Sequence, residues 1–254
     1  MRVFLLIFLS QSSISATNLK IIGGDDALAG QFPFAAAIYV RTNDGTYFCG
    51  GTLISDEWIL TAGQCVHEAV SFTIQLGSST LAGNDPNRVK VSTSESVIHP
   101  NFDPISLQND IGLIKLRLPV EYNDYVRQIR FLPTFRLQDG ASTIAIGWGQ
   151  ISDDNSGLSN VLQRVNLTTI STDECKLTYG GQITEDMVCV NGNYNEGSCT
   201  GDMGSPLLQH VGRGYYLVVG VASFISGNGC ESTDPSGYTR TFSYINWVKN
   251  ITNI

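Results

Sequence analysis

Short apolar segments rich in β-branched and aromatic residues recur along the whole chain, each cut off by Gly, Asn, Asp or Pro. Phe34–Val40, Trp58–Thr61, Ser71–Leu76, Ile111–Leu116, Thr143–Gly147, Val161–Ile170 and Tyr215–Phe224 are examples. Branched and aromatic side chains fit a pleated surface, and the frequent turn residues leave little room for long helices. Val161–Ile170 partly alternates apolar and polar residues, the period of a half-buried strand. Many short strands with closely spaced turns predict an all-β barrel or sandwich. At 254 residues and 42% hydrophobic, the chain has enough apolar material for one or two cores.

Two segments depart from the strand pattern. Ser171-Thr172-Asp173-Glu174 has the S-x-x-E spacing of a capping box and predicts a short helix after it. Near the end, Tyr244, Trp247, Val248 and Ile251 recur at helical spacing, giving one apolar face to lay on a barrel. The pattern loosens around Leu118–Pro133, where a crossing between two halves is expected.

The first residues read as a secretory leader. Met1-Arg2 is a basic start, Val3–Leu9 an apolar core, and Ser12–Ala16 a small-residue region with cleavage after Ser15 or Ala16. That core is too short to span a bilayer, and no other apolar run approaches membrane length, so a soluble, secreted, monomeric protein is expected. Lys and Arg number 15 against 23 Asp and Glu, a net charge of −8 without a basic cluster, which disfavours a nucleic-acid partner.

Secretion changes how the cysteines are read. Cys49, Cys65, Cys175, Cys189, Cys199 and Cys230 are an even set on an oxidising route, so disulfides are the default. Their spacing alone cannot choose the pairing. There is no CxxC, and His67, His99 and His210 lie far apart, so no metal site or cofactor is expected.

Several spaced blocks converge. Lys20 precedes Ile21-Ile22-Gly23-Gly24; then come Phe48–Ser55 (FCGGTLIS) and Trp58–Cys65 (WILTAGQC). Asn109–Leu116 (NDIGLIKL), Gly147-Trp148-Gly149 and Gly201–Pro206 (GDMGSP) follow. In order and spacing these resemble the chymotrypsin-like (S1, trypsin-like) serine proteases over residues 21–254, most of all the arthropod digestive branch. The resemblance implies two antiparallel six-stranded barrels, about 21–125 and about 126–240, and a C-terminal helix over about 241–252. It implies a signal peptide over 1–16 and a propeptide over 17–20. It also implies the disulfides Cys49–Cys65, Cys175–Cys189 and Cys199–Cys230.

In that family a serine hydroxyl attacks, a histidine takes its proton, and a buried aspartate orients the imidazole. The aspartate position falls on Asp110, the histidine position on Gln64 and the serine position on Met203. A glutamine amide does not titrate near neutral pH, and a thioether has no proton to lose. The members of such a unit act together, and losing the serine or the histidine alone can cost about 10⁶ in kcat. No hydrolytic mechanism is expected from these positions. Asp110 is expected to remain as a hydrogen-bonded structural residue beside Gln64. His67, beyond the cysteine, is read as an exposed histidine. Ser205, in place of a family glycine, lacks a base of its own.

The resemblance further implies that cleavage between Lys20 and Ile21 frees an ammonium that inserts beside Asp202. That feature reads either as inherited folding machinery or as a surviving switch. Backbone N–H groups of Gly201 and Met203 keep the oxyanion-hole pattern. The primary pocket falls on Gly197, Ser223, Phe224, Ile225 and Ser236. Gly197 supplies no carboxylate to select Lys or Arg, Phe224 replaces the usual Trp, and branched Ile225 narrows the mouth. Asn166-Leu167-Thr168 and Asn250-Ile251-Thr252 are candidate glycan acceptors.

These readings lead to a catalytically inactive homologue that binds proteins or peptides: protease inhibitors, substrates or a partner protease. A residual or unconventional endopeptidase is the alternative. A lectin-like adhesion protein is a third reading with no dedicated motif.

Overall fold

A computed structural model of the protein describes residues 24–129, 132–191 and 197–254. The expected leader over 1–16, the expected propeptide over 17–20 and the Lys20–Ile21 bond lie outside them. Seven strand segments form the first sheet: β2 (Ala35–Arg41), β3 (Thr46–Leu53), β4 (Trp58–Thr61), β5 (Ser71–Leu76), β6 (Val89–Thr93), β7 (Glu95–Ile98) and β8 (Gly112–Lys115). They are all antiparallel, in the order β6-β5-β2-β3-β4-β8-β7. Its two end segments, β6 and β7, are separated in sequence by Ser94 alone, so one bent length of chain brings the sheet round on itself.

The second sheet takes β1 (Asp25–Asp26), β9 (Ser142–Gly147), β10 (Gln163–Ile170), β11 (Met187–Val190), β12 (Pro206–His210), β13 (Tyr216–Phe224) and β14 (Ser236–Arg240). Its order is β1-β10-β11-β14-β13-β12-β9, and β9 also pairs with β10, which closes a six-stranded barrel. The leading β1 joins this second barrel, through Asp25 opposite Arg164 and Asp26 opposite Gln163. The short strands read in the sequence form, with ends moved by a residue or two. Along β10, Val165 and Leu167 are buried while Asn166 and Thr168 face out, the alternation expected of a half-buried strand.

Three short helices complete the fold: α1 (Gly63–Val66), α2 (Thr172–Tyr179) and α3 (Ile245–Thr252). The Ser171 hydroxyl accepts the Glu174 N–H at 3.1 Å, capping α2, and Gly180 ends it at φ +65°. Helix α3 follows a 3-10 turn at Thr241–Tyr244; Val248 and Tyr244 are buried in the first barrel's core, with Trp247 and Ile251 packed against it. A second core, including Val165, Val188, Leu207, Val219 and Tyr238, fills the other barrel. The first core also takes in Ile146, Trp148, Leu208 and Val218 from the second barrel, so the barrels share an apolar interface. Cys49–Cys65 joins β3 to α1, Cys175–Cys189 joins α2 to β11, and Cys199–Cys230 joins the loops before β12 and β14.

The cap gives a direct test of helix energetics. Ser171→Ala removes one satisfied donor at the start of α2 and is expected to cost about 1 kcal/mol, read as a lower urea midpoint at unchanged slope.

Candidate functional site

The two barrels meet at a buried carboxylate. Asp110, fully buried, sits just before β8, and Gln64 sits on α1. One Asp110 oxygen accepts the Gln64 backbone N–H at 2.8 Å. The other accepts Gln64 Nε2 at 2.7 Å and the Ser223 hydroxyl at 2.6 Å, while the Thr239 hydroxyl donates to the Asp110 carbonyl at 2.7 Å. Gln64 Nε2 also donates to the Ser223 carbonyl at 2.8 Å. Both of these partners are acceptors, so the nitrogen of the amide must be the atom that faces them. With its two hydrogens spent there, Gln64 spans both barrels as a fixed strut. Burial pushes the Asp110 carboxyl up, and hydrogen bonds from Ser223 and Gln64 oppose that shift. Gly63 allows the approach: a Cβ there would come within 3.2 Å of Asp110 Oδ1 and 3.1 Å of the Ile111 nitrogen.

Opposite this strut stands the loop Cys199–Pro206. Its carbonyl at Met203 accepts the Gly50 N–H at 2.8 Å, and Gly204 N–H donates to the Ala222 carbonyl at 2.8 Å. Gly204 has φ +84°, and a Cβ on it would collide with Thr61 Oγ1 and the Gly50 carbonyl, so only glycine fits. Gly201, at φ +97°, is held against Gly149. The Met203 side chain is half-buried against the first core. Ser205 is buried, with its hydroxyl so close to Gly50 that a Cβ on Gly50 would collide with it. It faces backbone of the first barrel.

Asp202 is buried and accepts the Gly149 N–H at 2.8 Å and the Cys199 N–H at 2.9 Å. Burial raises its carboxyl to about 7 against those two hydrogen bonds. The expected partner Ile21 lies outside the described residues.

The expected pocket positions are spread over two neighbourhoods, with Ser223 bound to Asp110 and Ile225 beside the Cys199–Cys230 disulfide. Gly197 faces Ser236: a Cβ on Gly197 would lie 3.3 Å from the Ser236 hydroxyl. The Ser198 hydroxyl is hydrogen-bonded to the Tyr238 hydroxyl in the interior. Ile225 packs against Cys199 and Cys230. Phe224 fills the space left by Gly237, where a Cβ would collide with the ring, and meets Tyr179 edge to face at 5.2 Å. Beside it opens a pocket of about 290 Å³ whose walls include Ile105, Leu107, Tyr179, Ile183, Phe224 and Ile225. Ile105 on its rim is 92% exposed. The sequence reading did not find this pocket, because its walls come from four separate segments.

All three histidines lie elsewhere. His67 meets Phe102 edge to face beside Glu68, His99 lies against Tyr244 and Trp247, and His210 against Tyr216. Asp153 approaches Cys199 and Cys230, but both sulfurs are in a disulfide, and its carboxylate accepts the N–H groups of Cys230 and Glu231. That cluster does not suit a metal ion. Asn166 and Asn250 are both exposed, while Thr252 is buried with its hydroxyl on the Val248 carbonyl.

Paired antiparallel barrels with a buried carboxylate and a glycine-framed loop facing each other across their junction define a chymotrypsin-like serine-protease scaffold. The trypsin family profile matches residues 21–248, and the chain belongs to that family. It is 32% identical to brachyurin of Leptuca pugilator, covering 92% of this chain and 99% of that protein. Chymotrypsin-like elastase family member 1 of Canis lupus familiaris is 33% identical, covering 95% and 96%. A solved structure of HL collagenase superposes with a TM-score of 0.83 at 35% identity, covering 92% of this chain and 99% of that one.

Asp202 yields a pH prediction for the chain uncleaved at Lys20–Ile21. Between 3.8 and about 7 the folded protein keeps a proton on Asp202 that the unfolded chain has released. Folded stability therefore falls as pH rises through that window. Urea midpoints across this range should decline for the native chain, and Asp202→Asn should flatten the decline.

Proposed function

We propose that this is a secreted, catalytically inactive serine-protease homologue that acts by binding. The observation that carries the reading is the Gln64 amide, with both Nε2 hydrogens committed to Asp110 and Ser223. A general base must accept a proton from the nucleophile and return it. Gln64 cannot, and Met203 has no proton to give. Ser205 is no replacement, since it faces Gly50 and none of the histidines reaches it with a base. The disulfides support an extracellular setting.

The proposed ligand is an extended protein segment, such as a protease-inhibitor loop, laid along β13 beside the degenerate loop. A branched Ile225 at the expected pocket mouth disfavours a long basic side chain, and Gly197 offers it no counter-charge. The neighbouring pocket, with Ile105, Leu107, Tyr179 and Phe224, suits an apolar side chain.

The test uses the purified protein, cleaved after Lys20, with a serine-reactive phosphonate and a general peptide substrate. Neither labelling nor turnover is expected. Gln64→His with Met203→Ser should recover weak labelling and weak turnover at most, because Ser205 and Ile225 still alter the cleft. Family-level turnover by the native protein would overturn the inactive reading; full activity in the double variant would overturn the account of the pocket.

A further inference from the structure

Between β5 and β6 the chain makes a loop whose oxygens converge on one side chain. Arg88 Nη1 donates to the Gly83 carbonyl at 2.6 Å. Its Nη2 lies 2.6 Å from the Thr80 carbonyl, 3.1 Å from the Ala82 carbonyl, 3.1 Å from Thr80 Oγ1 and 3.3 Å from Ser78 Oγ. Asp85 stands in the same loop, with its carboxylate accepting the Ser78 hydroxyl at 2.7 Å and the Asn87 N–H at 2.9 Å.

The opposite edge of that loop is turned toward the second barrel. The Ser79 carbonyl accepts the Leu162 N–H at 2.6 Å and the Trp148 indole N–H at 3.1 Å. Leu81 N–H donates to the Asn160 carbonyl at 2.9 Å, and Ala82 N–H to the Asn160 side-chain oxygen at 2.8 Å. Thr80 and Val161 form an isolated β-bridge. So Thr80, Ala82 and Gly83 turn their carbonyls inward to Arg88, while groups of Ser79, Leu81 and Ala82 reach across to the other barrel.

We propose that Arg88 is the resident cation of an oxygen cage, and that this cage holds the loop in the shape that clamps the two barrels together. Carbonyl and hydroxyl oxygens aimed at one point repel one another unless a positive charge with several donors sits there. A guanidinium supplies planar donors in a fixed fork; a lysine supplies charge at a single point. The clamp reaches the degenerate site through two neighbours. Trp148 donates to Ser79, and the next residue, Gly149, donates to Asp202. Arg88 is thus a positioning residue for a cleft it does not touch. Emptied of its side chain, the cage should take a guanidinium ion from solution.

Site-resolved amide exchange on the full protein tests this. Arg88→Met keeps the aliphatic stem and removes the charge. The amides of Leu81, Ala82 and Leu162 should then exchange faster by about tenfold or more, ahead of the strand amides of β13. Arg88→Lys should show a smaller increase. In Arg88→Ala, millimolar guanidinium chloride should restore protection at the same three amides, and sodium chloride at equal ionic strength should not. Unchanged exchange at Leu162 in Arg88→Met would overturn the clamp. Equal effects of Lys and Met, or equal rescue by both salts, would overturn the assignment to a cation cage. If Arg88→Met is not secreted while Arg88→Lys is secreted with these amides protected, the charge requirement stands; failure of both to fold would overturn a role confined to the clamp.

Discussion

A carboxylate with no exposed surface has to be surrounded by donors, and the junction between the barrels is arranged around that requirement at Asp110. Gln64 reaches it from α1, Ser223 from β13 and Thr239 from β14, so three distant parts of the chain are fixed relative to one another by one buried group. The amide satisfies the carboxylate without being able to exchange a proton. The structural demand of Asp110 is for a donor, and glutamine meets it, so under the proposed inactive reading the scaffold persists without proton transfer. Removing the amide would leave the Asp110 oxygen it serves with the Ser223 hydroxyl alone, at a cost of about 1–3 kcal/mol.

A second buried carboxylate organises the facing loop. Asp202 is held by two backbone N–H groups, and Gly204 and Gly50 let the loop pack against the first barrel without side chains between them. Met203 stands in a loop whose backbone is anchored on either side of it, by the Met203 carbonyl on the Gly50 N–H and the Gly204 N–H on the Ala222 carbonyl. The hydrogen bonds of Asp202 and the positive-φ glycines that shape this loop involve no atom of the Met203 side chain. Fold and chemistry are separable here because different atoms of the same loop serve them.

How far the sequence discloses this depends on whether a feature is local. The alternation along β10 and the capping box at Ser171 appear in the structure nearly as read, because periodicity and caps act over a few residues. Strand β14 is different. Ser236–Arg240 is buried throughout yet has no apolar pattern; it is buried because β11 and β13 flank it, and its Arg240 is satisfied by the carbonyls of Glu185, Leu137 and Met187. The blocks around Gln64, Asp110 and Met203 were legible only through family resemblance, as was the cysteine pairing. The Ser223–Asp110 bond, the apolar pocket beside Phe224 and the Arg88 cage join residues that periodicity cannot relate, and only the folded chain reveals them.

The central claim is that the cleft holds extended chains and leaves them intact. It is tested most directly by incubating the immobilised protein with a mixed peptide pool and identifying by mass spectrometry what is retained. The account predicts intact peptides enriched in apolar residues, with that enrichment weakened by Phe224→Ala. New termini generated by the native protein, or no enrichment over a column without protein, would contradict it.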